Sequence, residues 1–85
     1  MLLIEKEQKL IDERNNLQSE LNNASRMLDE GNSRLDVAVA TKNFHDIEVA
    51  QLLISSANKK LDSLKTQLND NTEEMNQLRK KIKND

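Results

Sequence analysis

The sequence contains no cysteine, proline, tryptophan or tyrosine, and it has a single glycine and a single phenylalanine. Without cysteine the chain has neither a disulfide nor thiolate chemistry. Without proline, and with Gly31 alone, almost nothing in the chain interrupts a helix. One aromatic side chain, Phe44, is too few for the stacking platform on which proteins bind single-stranded nucleic acid. We therefore do not expect a nucleic-acid partner.

A charge of one sign and long apolar runs are missing too. The net charge is -2, which gives no reason to expect strong binding to nucleic acid or to anionic membranes. The apolar opening of residues 1–4 is followed at once by charged residues and is too short for a signal-peptide core, and no stretch resembles a membrane span. We therefore expect no membrane partner and, by default, an intracellular, cytoplasmic protein or a segment of a longer one.

What the chain does contain is typical of long helices. Alanine, glutamate, lysine, leucine and arginine make up roughly half of the 85 residues. That length suffices for one domain, residues 1–85, but not for a large core. In both halves, apolar or small residues recur at alternating spacings of three and four, the heptad pattern of a coiled coil. In the first half they are Leu3, Leu10, Leu17, Leu21, Ala24, Leu28, Gly31, Leu35 and Ala38, with Glu7 and Arg14 as polar interruptions. In the second half they are Ile47, Ala50, Ile54, Ala57, Leu61, Leu64, Leu68, Met75, Leu78 and Ile82, with Asn71 in the one polar place.

The two heptad tracts are out of phase with each other. The a positions of the first tract would continue from Leu35 to Lys42, whereas those of the second begin at Ile47. This offset is larger than a single stutter or stammer absorbs, so a turn between the tracts is favoured. Asn43 can cap the second helix, with Asp46 in its first turn. We predict helix 1 at about 2–40, a turn at about 41–43 and helix 2 at about 44–83, although Gly31 is an alternative C-cap for helix 1.

Folding the chain back at this turn predicts an all-α, antiparallel two-helix coiled-coil hairpin. In the layers nearest the turn, a glycine or alanine always faces a leucine or isoleucine, which lets the helices approach closely while filling the volume between them. These layers are Ala38 with Ile47, Leu35 with Ala50, Gly31 with Ile54, Leu28 with Ala57, and Ala24 with Leu61. Arg14 falls opposite Asn71, and either the two form a polar layer that fixes the register or Arg14 extends outward with only its stem buried.

Six apolar residues near the turn lie outside the a and d positions, and we predict that they form an interface. They are Val37, Val39, Phe44, Val49, Leu52 and Leu53. The simplest arrangement is a homo-oligomer in which two hairpins form a four-helix bundle. A helix of another protein could cover the same surface, and Phe44 with its neighbours could instead close over the turn as a plug.

Nothing in the sequence points to catalysis, a cofactor or a metal. His45 is the only histidine and is expected to face solvent, while Glu73 and Glu74 are expected on a solvated helix surface. The sequence therefore predicts a non-catalytic coiled-coil oligomerisation or scaffold module. The alternatives are an adaptor hairpin that binds a helix of a different protein, and a straight parallel coiled-coil rod that acts as a spacer.

Overall fold

The protein forms two long antiparallel helices in a computed structural model that describes residues 2–84. Helix α1 spans Leu3–Ala40 and helix α2 spans Phe44–Asn84, with three residues between them. The molecule measures 64 × 15 × 15 Å. The prediction of an all-α helical hairpin is confirmed, and the straight-rod alternative is wrong, because such a rod would be about 125 Å long at the helical rise. Met1 and Asp85 of the predicted domain lie outside the described residues.

The core is the single seam between the helices, and it follows the heptads. On α1 the buried residues are Leu17, Ala24, Gly31 and Ala38. On α2 they are Ala50, Ala57, Leu64, Asn71, Met75 and Leu78. Midway along the seam, Leu17, Ala24 and Leu64 form a cluster against which Leu21, Leu61 and Leu68 pack. Since many of these side chains are small, the helices lie close together and the core has little volume.

Two contacts establish the register. A Cβ atom built onto Gly31 would lie 2.9 Å from Cγ1 of Ile54, so these two residues share a layer as predicted. Gly31 is inside α1, which excludes its role as a C-cap. Near the other end, Nδ2 of Asn71 donates a hydrogen bond to the Leu10 carbonyl at 2.9 Å. Arg14 is exposed. The buried polar layer therefore consists of Asn71 and the Leu10 carbonyl, and the Arg14 side chain is not buried in it.

The turn is a Schellman motif followed directly by a helix cap. The N–H of Asn43 donates to the Ala38 carbonyl at 3.0 Å and that of Lys42 to the Val39 carbonyl at 3.2 Å, which satisfies the last carbonyls of α1. Lys42 has a φ of 56°, a left-handed conformation usually given to glycine. Asn43 then caps α2, because its Oδ1 accepts the N–H of Asp46 at 3.2 Å. The chain thus reverses direction within three residues.

Candidate interaction surface at the turn

Large apolar side chains are exposed near the turn. Val37, Val39, Phe44, Val49 and Leu52 are between 42 and 78 % exposed. They belong to the predicted interface, and the structure places them outside the seam, as their heptad positions require. In the rest of the described chain, the other large apolar residues with comparable exposure lie at the opposite, open end, and they are Leu2, Ile4 and Ile82.

Val37 and Val49 line one groove between the two helices. The groove has a volume of about 430 Å³. Ala38 and Ala50, both buried in the seam, also line it, and their small side chains leave room between the valines. We call it the valine groove. Its remaining lining residues are polar, namely Ser33, Arg34 and Asp46.

Arg34 was not predicted from the sequence to be part of this surface. Its guanidinium donates to the Glu30 carboxylate at 2.7 Å in an exposed pair one turn apart, which is an unremarkable arrangement on a helix surface. Arg34 and Asp46 both occupy g positions of their heptads, and in an antiparallel pair the g positions of the two helices lie on the same side of the seam. The heptad positions alone would therefore have placed Arg34 and Asp46 on the same side of the seam.

Leu53 differs from the other predicted interface residues because it is partly buried. Its Cγ lies 3.5 Å from the position that a Cβ on Gly31 would occupy. Leu53 is therefore engaged with α1 of its own hairpin at the edge of the seam. A substitution at Leu53 would disturb the hairpin as well as any interface.

Val39 and Phe44 occupy e positions, which lie on the side of the seam opposite the g positions. The six predicted residues therefore do not form one continuous patch. Val37 and Val49 lie at the groove on the g side, whereas Val39 and Phe44 lie on the e side. Phe44 is 78 % exposed, so the alternative in which it closes over the turn as a plug is wrong.

A second groove lies on the g side near the open end, and it is strongly charged. Its volume is about 560 Å³, and Leu10 and Leu78 of the seam contribute its apolar part. The charged residues that line it are Lys6, Lys9, Glu13, Glu73, Glu74 and Lys81. We call it the charged groove. On the g side of the hairpin, the groove near the turn thus combines two valines with Arg34 and Asp46, whereas the groove near the open end is mainly charged.

The remaining candidate chemistry is sparse. His45 is exposed, and residues 2–84 contain no group of histidine, cysteine, aspartate or glutamate side chains arranged to hold a metal ion. Neither helix, over the part that the structure describes, is long and apolar enough to cross a membrane. Comparison of the chain with protein-family models, with curated proteins and with solved structures gave no match.

Proposed function

We propose that the protein is a non-catalytic oligomerisation or scaffold module whose hairpin self-associates through the apolar surface near the turn. The observation that carries this proposal is the exposure of Val37, Val39, Phe44, Val49 and Leu52 within the few helical turns next to the chain reversal, on both sides of the seam. Clustered exposed apolar side chains of this size usually mark an interaction site. A second copy of the hairpin offers the same apolar surface, so two copies can cover each other.

The shape of the hairpin supports the proposal. Its accessible surface is 6553 Å², whereas a compact monomer of the same mass would expose about 5,200 Å². Its radius of gyration is 18.9 Å, against about 12 Å for a compact chain of this length. Two helices with one seam enclose only a thin core, and packing against a second hairpin would add a layer near the turn.

The expected strength of association is modest. Complete burial of a valine, leucine or phenylalanine side chain contributes ~1.5–3 kcal/mol. Covering the partly exposed set on both copies would therefore contribute on the order of 10 kcal/mol per dimer, and covering one side of the seam about half of that. The loss of translational and rotational freedom costs ~4–15 kcal/mol. Because these terms are similar in size, we expect a dimer that dissociates on dilution.

The test is the molecular mass in solution, measured by sedimentation equilibrium from about micromolar to about millimolar protein, a range that spans weak association. We expect the mass to rise from that of a monomer to that of a dimer with concentration. Val37→Glu should abolish the rise, because it places a charge in the valine groove, while the helical circular dichroism stays unchanged. Ile4→Glu is the control, since Ile4 is 78 % exposed, against 63 % for Val37, but lies at the open end.

Two results would contradict the proposal. A monomer at every concentration would exclude self-association, and a Val37→Glu variant that dimerises like the parent protein would exclude the valine groove as the contact. The first result would favour the adaptor function, in which an amphipathic helix of a different protein occupies the surface.

A further inference from the structure

We infer that two copies of the hairpin dock through their turn regions and are related by a twofold axis that crosses the valine groove. The rest of each hairpin, which we call its body, points away from the other copy. This inference rests on the proposed self-association and specifies its geometry. The dimer would be a short four-helix bundle only where the two turn regions overlap, with the two open ends at opposite extremes.

The positions of the valines along the hairpin fit such an axis. At 1.5 Å per residue, Val37 lies about 4.5 Å from the turn end of α1 and Val49 about 7.5 Å from the start of α2. Their mean height above the turn is about 6 Å. A twofold axis at that height, perpendicular to the helices, brings Val37 of each copy level with Val49 of the other. Four valines then surround the axis and fill both grooves.

The charged residues of the groove fit the same axis. Arg34 lies about 9 Å from the turn end of α1 and Asp46 about 3 Å from the start of α2, so their mean height is again about 6 Å. The axis that centres the valines therefore also brings Arg34 of each copy level with Asp46 of the other. An arginine has five N–H donors, so Arg34 can keep its bond to Glu30 while it pairs with a partner aspartate. The groove is thus complementary to itself in both shape and charge.

A dimer with the two bodies side by side and both turns at one end is disfavoured by the charged groove. In the register of the hairpin, Lys6 lies level with Lys81, and Glu13 lies level with Glu74. Placing a second hairpin alongside would bring Lys6 and Lys81 of both copies together near the open end. Glu13 and Glu74 of both copies would come together about 10 Å nearer the turn, with Lys9 beside them. Like charges held at close range destabilise an interface. When the bodies point apart, both clusters stay in water.

A dimer in which antiparallel bodies overlap over their whole length is disfavoured for a different reason. It would lay the valine groove of each copy on the charged groove of the other. Val37 and Val49 would then displace water from lysine and glutamate side chains without offering them hydrogen bonds, which is costly. Only the turn-to-turn arrangement matches valines with valines, pairs Arg34 with Asp46 and leaves the charged groove in water.

The closing experiment measures distances between two copies with one spin label on each chain. The sequence has no cysteine, so His45→Cys and Lys80→Cys each give a single labelling site. Both residues are exposed and occupy f positions, which face away from the seam. They lie about 1.5 Å and about 54 Å from the start of α2. Pulsed electron–electron double resonance, at a protein concentration that gives the dimer mass, then measures the distance between the two spin labels of a dimer for each site.

The turn-to-turn dimer predicts a short distance at His45 and a separation of about 96 Å along the axis at Lys80, beyond the measurable range. A side-by-side dimer would give two short distances, and a fully overlapped one would give about 50 Å at both sites. Either result would overturn this geometry while leaving self-association intact. A monomer mass with no intermolecular signal at either site would instead overturn the proposed function. As a second check, Val37→Glu should abolish the His45 signal, and Phe44→Glu, on the other side of the seam, should preserve it.

Discussion

The side chain of Asn71 on α2 donates a hydrogen bond to the backbone carbonyl of Leu10 on α1 at 2.9 Å. Asn71 is only 2 % exposed, and its Oδ1 is buried without a hydrogen-bond partner among the described residues. The alternation of small and large residues in the layers nearest the turn repeats every seven residues, so by itself it would tolerate a slip of one heptad in most of these layers. Such a slip would carry Asn71 from the level of Arg14 to that of Leu21 or Glu7. Together with the turn, Asn71 therefore fixes the register.

Replacing this amide should raise stability and weaken the register. In Asn71→Leu, the buried oxygen without a partner is removed, and we expect the free energy of unfolding to rise by about 1–2 kcal/mol. Urea denaturation followed by circular dichroism measures that change. Spin labels at Gln8→Cys and Asn76→Cys, which lie level across the seam, should show one distance in the parent protein. A second, longer distance should appear in the Asn71→Leu variant.

The control for this prediction is Asn69→Leu, at an exposed position on the same helix. It should leave both the stability and the distance nearly unchanged. If Asn71→Leu proves less stable than the parent protein, the hydrogen bond to Leu10 contributes more than burial of the amide costs.

Gly31 should resist replacement by alanine even though it lies in a helix. Alanine would favour the helix by ~1 kcal/mol. Its Cβ, however, would lie 2.9 Å from Cγ1 of Ile54 and 3.4 Å from the Ile54 nitrogen, and an isoleucine has few rotamers with which to yield. Because overpacking costs ~1–3 kcal/mol, we expect Gly31→Ala to lower the free energy of unfolding by up to about 2 kcal/mol.

The sign should reverse when Ile54 is truncated. In an Ile54→Ala background, the atom that meets the new Cβ is gone, so Gly31→Ala should be stabilising by about 1 kcal/mol. Urea denaturation of the four proteins of this double-mutant cycle gives the coupling free energy between positions 31 and 54. Equal effects of Gly31→Ala in both backgrounds would show that the close approach of Gly31 to Ile54 does not limit packing.

Lys42 should be improved by glycine. Its φ of 56° is unfavourable for a residue with a Cβ, and glycine adopts it readily. We expect Lys42→Gly to raise the free energy of unfolding by about 0.5–1 kcal/mol. Lys59→Gly, the same substitution within α2 at an exposed position, should lower it by about 1 kcal/mol. A destabilised Lys42→Gly variant would mean that the lysine side chain contributes to the turn.

Charge reversal can test the pairing of Arg34 with Asp46 across the proposed dimer. In Arg34→Asp and in Asp46→Arg, each dimer would contain two repulsive pairs, and we expect the affinity to fall by at least about fivefold for each variant alone. Mixing the two variants restores both attractive pairs, because each copy then offers the charge that the other lacks. Sedimentation of the mixture should show a heterodimer at concentrations at which either variant alone is a monomer.

The control mixes the parent protein with either variant, which leaves one attractive and one repulsive pair and should give intermediate association. Circular dichroism must show that both variants remain helical, since Arg34→Asp also removes the bond to Glu30. Failure of the mixture to associate better than its components would exclude the Arg34–Asp46 pairing.

The hairpin was predictable from the sequence because its determinants are local or periodic. The break in phase between Leu35 and Ile47 favoured a turn, and the matched sizes of Gly31 and Ile54 predicted that they share a layer. Asn43 was identifiable as a cap because asparagine commonly satisfies the free N–H groups of a helix start. The left-handed conformation of Lys42 was not predictable, since lysine gives no sign of it.

The candidate site was less predictable, because it depends on which side of the seam each residue lies. The heptad pattern showed that Val37 and Phe44 are outside the seam, but treating them as one patch ignored that they flank it on opposite sides. The groove itself arises from the small side chains of Ala38 and Ala50, and the exposed large apolar residues alone do not indicate it. Leu53 was predicted to lie at the exposed interface, but it is partly buried, because the absence of a side chain on Gly31 leaves room for Leu53 against α1.

The short turn has a consequence for distance. It places Leu3 and Asn84 near each other at the open end, with the turn at the far end of a molecule 64 Å long. A group attached at either helix end is therefore held at that spacing from whatever binds the turn. Seven residues inserted at the same level of both helices would keep every layer in phase and extend the spacing by about 10 Å. The number of heptads thus sets the distance between the open end and the turn, independently of the residues that make the contact at the turn.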